Sequence, residues 1–209
     1  MSDRPPEHAP AIEDAIRSRR SVRGLEGPPL SREEVDALVS LALTAPAPHH
    51  TQPWRFVEVT ASHREALATA MGDAWRADLL RDGVEEARRD RALTRSHGRI
   101  VGAPTLLLGC LVADGLNVYE DDRRARAEWG LAQHSFGAAL QNILLAASAG
   151  GLGAYWISAP LYAPEAVRAA LDLDGTWQPQ ALIVLGRPSA DYVPFDRPTP
   201  DLARHLVRR

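Results

Sequence analysis

The sequence predicts an α+β fold in a single domain spanning residues 1–209. Three observations carry this reading. Val35, Leu38, Val39, Ala42 and Leu43 recur at helical spacing behind a Ser31/Glu34 capping box. Thr105 to Val112 is an unbroken apolar run of strand length. The chain has 209 residues, 45% of them apolar, which is enough for one well-buried core and short for two.

The elements follow in order. Ile12, Ala15 and Ile16 share one face of a first helix that ends near Arg19. Ser31 caps the second helix and Pro46 stops it. Trp54 to Thr60 reads as a strand. Ser62 and Glu65 then suggest another capping box, ahead of a helix with Leu67, Ala70, Met71 and Ala74 turned inward. Val84 to Arg99 is dense in charge and reads as a surface helix or lid. After the Thr105–Val112 strand, a polar loop leads to a long apolar helix from about Arg124 to Ala149. Gly150 and Gly151 are expected to supply its positive-φ cap. Ala154 to Ile157 forms a short buried strand, Pro164 opens a further helix, and Ala181 to Leu185 reads as a central strand. Arg187 to Arg209 holds four prolines and no periodicity, which is unusual inside a compact monomer, so this tail is expected to pack on a partner subunit.

Composition removes several functions. All 24 basic residues are arginine. Without lysine there is no Schiff base, no pyridoxal phosphate chemistry and no Walker A loop. The lone Cys110 reads as a small core residue and permits no intrachain disulfide, which fits a reducing cytosol. A net charge of −3 argues against a nucleic-acid partner, and Arg204, Arg208 and Arg209 read as a solvated tail. The polar Met1–Pro10 lacks the apolar core of a signal peptide and no run approaches a membrane span, so a cytoplasmic location is expected.

Two segments carry the chemistry. Arg19-Arg20-Ser21-Val22-Arg23 places three guanidiniums and a hydroxyl within five residues, and forked planar donors suit a phosphate dianion. The other reading of these arginines is a solvated basic helix end, favourable to the helix dipole. Thr44-Ala45-Pro46-Ala47-Pro48-His49-His50-Thr51-Gln52-Pro53-Trp54-Arg55-Phe56 is a proline-rich helix stop that frees backbone amides to contact a flat ligand. The glycine cluster Gly150-Gly151-Leu152-Gly153 follows a helix and precedes a strand, the reverse of a dinucleotide fingerprint, so it is read as a helix cap. His49 and His50 have no neighbouring ligand set for zinc. They are either turn-packing residues or polar contacts to a second substrate.

On these two segments, on Trp75-Arg76-Ala77-Asp78-Leu79 and on Gly151-Leu152-Gly153-Ala154-Tyr155-Trp156-Ile157, the chain resembles the FMN-dependent nitroreductase family over nearly its whole length. Within that family the wording TAPAPHHT followed by RF is most similar to the C-terminal, nitroreductase-like domain of the bifunctional protein of coenzyme F(420) biosynthesis. About ten residues precede the first helix, so the ligase half of that protein is not expected here. The resemblance implies a three-layer α+β fold with a mixed central sheet, in a tail-exchanged homodimer with FMN at the subunit interface. It implies that Arg19, Arg20 and Ser21 hold the FMN phosphate and that Arg23, beside Val22, borders the pyrimidine edge of the flavin. Pro46, Ala47 and Pro48 would line the ring, Ser158 and Ala159 would offer backbone amides to it, and Arg197 would close on the phosphate. His49, His50, Arg76 and Asp78 would contact substrate. A cation at the ring edge has a purpose, since two-electron reduction leaves negative charge there.

Three functions compete at this level. One is an oxidoreductase of coenzyme F(420) metabolism, reducing the dehydro precursor or exchanging hydride with the deazaflavin, which the His pair favours. Another is an NAD(P)H-dependent reductase of nitro or enone acceptors. The third is a protein that binds flavin or deazaflavin without turnover.

Overall fold

The computed structural model describes residues 9–193 and 195–209. Its elements run α1 (Ala9–Ser18), β1 (Leu25–Glu26), α2 (Arg32–Ala42), β2 (Trp54–Glu58), α3 (Ala61–Arg81), α4 (Glu86–Val101), β3 (Thr105–Leu111), α5 (Asp122–Ala149), β4 (Gly153–Ile157), α6 (Pro164–Leu171) and β5 (Gln178–Pro188). Short 3-10 turns occupy Pro48–His50, Ala159–Tyr162 and Leu202–Arg204. No described helix is long and apolar enough to cross a membrane.

The sheet is built around β5. Strands β3 and β4 both pair with residues 182–185 of β5 and therefore lie on its two sides, while β2 pairs with the far side of β3 and β1 with the end of β5. The order across the sheet is β2-β3-β5-β4. All these pairings are antiparallel, where the resemblance implied a mixed sheet. A parallel neighbour requires a crossover between adjacent strands, and here each adjacent pair is joined so that its members run in opposite directions.

Side chains alternate across the sheet and are covered on both faces. Leu107, Leu111, Ile183 and Leu185 face α2 and α5, packing with Leu38, Phe136, Leu140 and Ile143. Leu106, Leu108, Cys110, Leu182 and Val184 face the other way, onto Leu67 and Met71 of α3, Ile100 of α4 and Val167 of α6. This explains why the β3 sequence is continuously apolar rather than alternating: every residue in it is buried. The result is the expected three layers.

The local signals mostly hold. Ser31 accepts from the Glu34 N–H, and the Glu34 carboxylate accepts from the Ser31 N–H at 2.8 Å, so the capping box is complete. The second box does not form. The N-cap of α3 is Thr60, two residues before the expected Ser62, and the Thr60 hydroxyl is engaged with Ser62 at 3.0 Å and His63 at 2.9 Å. Of the two expected cap glycines only Gly151 has positive φ, at 74°, since Gly150 still closes the last helical turn at −82°. Leu152 N–H then reaches the Ala147 carbonyl at 2.8 Å and Gly151 N–H the Ser148 carbonyl at 3.2 Å, completing a Schellman turn. Helix α4, expected at the surface, buries Leu93 and Ile100 against its neighbours. On α1, Ile12 and Ile16 are 61% and 48% exposed, leaving an apolar stripe uncovered in the single chain.

Candidate functional site

Helix α1 ends at Ser18, and the next five residues turn along the edge of β4. Val22 donates its N–H to the Ala154 carbonyl at 3.1 Å, which fixes this segment against the sheet. That approach needs Gly153: a Cβ there would lie 2.9 Å from Val22 Cγ1 and 3.1 Å from Val22 Cβ. The glycine expected to belong to a helix cap is thus what lets the arginine segment sit close.

The tail returns to the same place. The Tyr192 hydroxyl donates to the Ser21 carbonyl at 3.2 Å and the Arg197 guanidinium donates to the Arg19 carbonyl. Arg20 folds back on the helix end, donating to the carbonyls of Arg17 at 2.6 Å, Arg19 at 3.1 Å and Ser18 at 3.2 Å. Arg17, Arg20 and Arg197 line a cleft of about 570 Å³ between α1 and the tail, together with Glu13, whose carboxylate pairs with Arg17 at 3.5 Å. Burial pulls the Arg19 guanidinium below its usual pKa, and repulsion from Arg197 and Arg20 adds to this. Cations gathered in this way repel one another, and a dianion placed among them turns that repulsion into attraction.

Arg23 points to a second cavity, of about 220 Å³, shared with Arg95 and Arg99 from α4 and with Tyr155 from β4. Its guanidinium carbon lies 5.7 Å from the centre of the Tyr155 ring. No described carboxylate forms an ion pair with Arg23, Arg95 or Arg99, although 13 ion pairs occur elsewhere among the described residues. Burial raises the Tyr155 hydroxyl, and Arg99 and Arg23 oppose the shift. Arg95 and Arg99 were missed in the sequence because one face of a charge-rich helix looks like any other; their spacing of four was the available signal.

The proline–histidine loop stands elsewhere. Trp54, just after it, pairs with Leu111 at one end of β3, whereas Ala154, beside Val22, is linked through Leu185 to Thr105 at the other end. Three strand spacings across and six residues along the sheet amount to about 24 Å, at ~4.8 Å per strand and ~3.3 Å per residue. Within one chain, Arg23 and His49 do not border the same flavin ring.

The loop itself is strained. His49, His50 and Gln52 all have left-handed backbones, with φ of 51°, 57° and 50°. Each such non-glycine residue costs on the order of 1 kcal/mol or more. Thr51 Oγ donates to the Pro48 carbonyl at 2.8 Å and Gln52 Nε2 to the Leu43 carbonyl at 2.7 Å, which pins the turn. His49 Nε2 lies 2.9 Å from Glu128 Oε1 on α5 and 2.9 Å from the Asn117 side-chain amide. Glu128 is only 6% exposed, and its Oε1 also accepts the Asn117 N–H at 2.9 Å. That backbone bond holds its carboxyl below the usual range, with His49 adding to the effect. The sequence does carry a signal for Glu128: it lies on the stripe of Ala132, Ser135, Phe136 and Ala139, an acid at a core position.

Ser158 and Ala159 follow β4 and are half-buried, with the Ser158 carbonyl bonded to the Leu161 N–H. Arg76 pairs with Asp90 at 3.3 Å and Asp78 with Arg81 at 2.9 Å on α3 and α4, and neither lines the arginine cavity. Among the described residues, no group of three or more His, Cys, Asp or Glu side chains is placed to hold a metal ion.

The family model for the nitroreductase family matches residues 16–187, and the chain belongs to that family. It is 29% identical over 194 residues to 5,6-dimethylbenzimidazole synthase of Rhodospirillum rubrum, covering 89% of this chain and 83% of that protein. It is 44% identical to nitrobenzene nitroreductase of Ectopseudomonas oleovorans over 69 residues, a stretch that covers 33% of this chain and 30% of that protein. A nitroreductase-type structure from Desulfovibrio desulfuricans, solved in complex with FMN, superposes with a TM-score of 0.67 at 27% identity, covering 95% of this chain and 96% of that one.

Proposed function

We propose that this FMN-dependent oxidoreductase of the nitroreductase family holds its cofactor between the chains of a homodimer and acts in coenzyme F(420) metabolism. The observation that carries the cofactor reading is the gathering of Arg19, Arg20 and Arg197 at the end of α1, where Arg197 donates to the Arg19 carbonyl and burial, with repulsion from both neighbours, lowers the Arg19 pKa. Arg19, Arg20, Ser21 and Arg197 hold the phosphate. Arg23, with Arg95 and Arg99, borders the pyrimidine edge, and the backbone at Ser158 and Ala159 faces the ring. When bound, FMN supplies two-electron chemistry, and the arginine edge stabilises the negative charge that reduction leaves there.

The span of about 24 Å across the sheet supports a dimer, because it leaves Pro46, Ala47, Pro48, His49 and His50 to meet the flavin of the partner chain. The uncovered Ile12 and Ile16 and the apolar tail residues Val193, Phe195 and Val207 supply surface for it. A tail crossing to the partner, a single domain over residues 1–209 and a cytoplasmic location belong to the same proposal. The His pair supports a deazaflavin as second substrate: its turn is held in a strained form and presents His50 to solvent. The likeness to nitrobenzene nitroreductase favours a second reading, an NAD(P)H-dependent reductase of nitro or enone acceptors.

Anaerobic mixing of the FMN-loaded protein with reduced coenzyme F(420), NADPH and NADH decides between them. Bleaching of the flavin by the deazaflavin alone is expected. Bleaching by NADPH or NADH alone selects the second reading, and a flavin that no donor bleaches marks a binding protein.

A further inference from the structure

Glu128 is an ionised, almost fully buried carboxylate whose neighbours in hydrogen-bond contact are His49 and Asn117. A carboxylate only accepts, so Nε2, the His49 nitrogen facing it, carries the proton, and the Asn117 side chain 2.9 Å from the same nitrogen then turns its amide oxygen, not its NH2, toward it. The ring is thereby fixed in one tautomer and one orientation, and Nδ1 is left as its open position, on a side chain that is 45% exposed. The chain holds this arrangement at a cost, since His49 and His50 both sit in left-handed backbone. The hydrogen bond to Glu128 helps pin the turn, but burying the acid costs desolvation, so the pair is an expensive way to hold a loop. An imidazole oriented by a carboxylate, with its second nitrogen open, is the arrangement of a general acid–base.

We infer that His49 is the proton donor to the acceptor in this site and that Glu128 is its positioning residue. The inference rests on the flavin-dependent reading, in which the His49 loop of one chain faces the flavin gripped by the other. With a nitro acceptor the step balances. A proton from solvent on Nδ1 first makes His49 the imidazolium that the Glu128 carboxylate pairs with; the nitro group would then take a hydride from the reduced flavin and that Nδ1 proton, one N–O bond breaks, water leaves, a nitroso product remains and the ring is left in its neutral Nε2–H form. Solvent returns the proton to Nδ1. Among the described residues Glu128 is the one titratable side chain in hydrogen-bond contact with His49; Asn117 is neutral.

The test uses His49→Gly, which suits the positive φ at that position, and Glu128→Gln, which keeps the shape and still accepts the Asn117 N–H. In the protein without FMN, nitrogen-15 NMR is expected to show His49 in the Nε2–H tautomer, assigned by its loss in His49→Gly, and to show both tautomers in Glu128→Gln. In the FMN-loaded protein, pre-reduced and mixed with nitrobenzene, His49→Gly is expected to slow acceptor reduction by about 10²–10⁴-fold and Glu128→Gln by about tenfold. Added imidazole restores part of the His49→Gly rate, which a purely structural loss does not allow. A parent that binds no FMN overturns the flavin reading and this inference together. A His49→Gly protein that binds FMN as the parent does and reduces nitrobenzene at the parent rate, or a rate that imidazole leaves unmoved, overturns the proton role alone. A single unchanged tautomer in Glu128→Gln removes Glu128 as the positioning residue.

Discussion

Gly153→Ala places one methyl group where the arginine segment meets the sheet. The new Cβ would collide with Leu25 Cδ2 and stand 2.9 Å from Val22 Cγ1 and 3.1 Å from Val22 Cβ. The Leu25 tip can rotate away. Val22 cannot, because its Cβ is one bond from the main chain and its N–H is tied to the Ala154 carbonyl at 3.1 Å. The backbone of Gly153 needs no positive φ, so the whole cost is steric. Overpacking of this size costs about 1–3 kcal/mol. For a chain of this length that lowers the Tm by roughly 2–12 °C. Because the displaced residues are the proposed phosphate grip, the same strain is expected to weaken FMN binding by up to about 150-fold. Thermal melts with and without FMN, beside a fluorescence titration of FMN, measure both. Val22→Ala in the same chain removes Cγ1 and is expected to recover at least half of the loss. A Gly153→Ala protein that melts within a degree of the parent and binds FMN equally, or a double variant with no recovery, refutes the account of how the segment is seated.

Other outcomes follow from the same geometry. On the proposed phosphate assignment, Arg19→Ala and Ser21→Ala each remove a charge-assisted or hydroxyl contact worth about 1.5–3 kcal/mol, so FMN affinity is expected to fall roughly tenfold to a hundredfold while riboflavin affinity hardly changes; equal FMN affinity sinks the assignment. Arg23→Met is expected to lower the reduction potential of the FMN-saturated protein, read by equilibration with a reference dye, and an unchanged potential places that guanidinium away from the ring. Glu34 is held below its usual pKa first by the Ser31 N–H and then by Arg187, so its contribution to stability is full above about pH 4.3 and is lost as pH falls through the depressed value. Glu34→Gln therefore narrows the stability gap from the parent in acid, and a gap independent of pH contradicts the capping role. Burial pushes the Cys110 thiol up to about 12, so a thiol reagent at pH 8 is expected to label it only on unfolding; rapid native labelling argues against the buried strand.

Much of the layout was legible because local chemistry decides it. The Ser31 box, the Gly151 cap and the apolar β3 run each state their structure within a few residues. What the sequence concealed depends on distant partners. Thr60 takes the N-cap position in place of Ser62 although its hydroxyl makes no capping bond and is engaged with the Ser62 and His63 side chains instead, so no side-chain capping signal marks the position. Gly153 read as part of a helix stop because its partner, Val22, is 131 positions away in the chain. The arginine motif announced its chemistry, but its companions Arg95 and Arg99 come from a helix on which charge is unremarkable. Glu128 was visible only as an acid out of place on an apolar stripe.

The wide spacing of the two motifs across the sheet changes what a mutation does to a population of molecules. In a dimer where the grip of one chain serves the histidine loop of the other, damage at Arg19 and damage at His49 fall on different halves of each site. Two crippled proteins, one carrying each change, then repair one another when unfolded and refolded together. Random assortment makes half of the dimers hybrid, and each hybrid has one site with both faults and one with neither, so about a quarter of all sites return intact. No such return is available when both changes lie in the same chain.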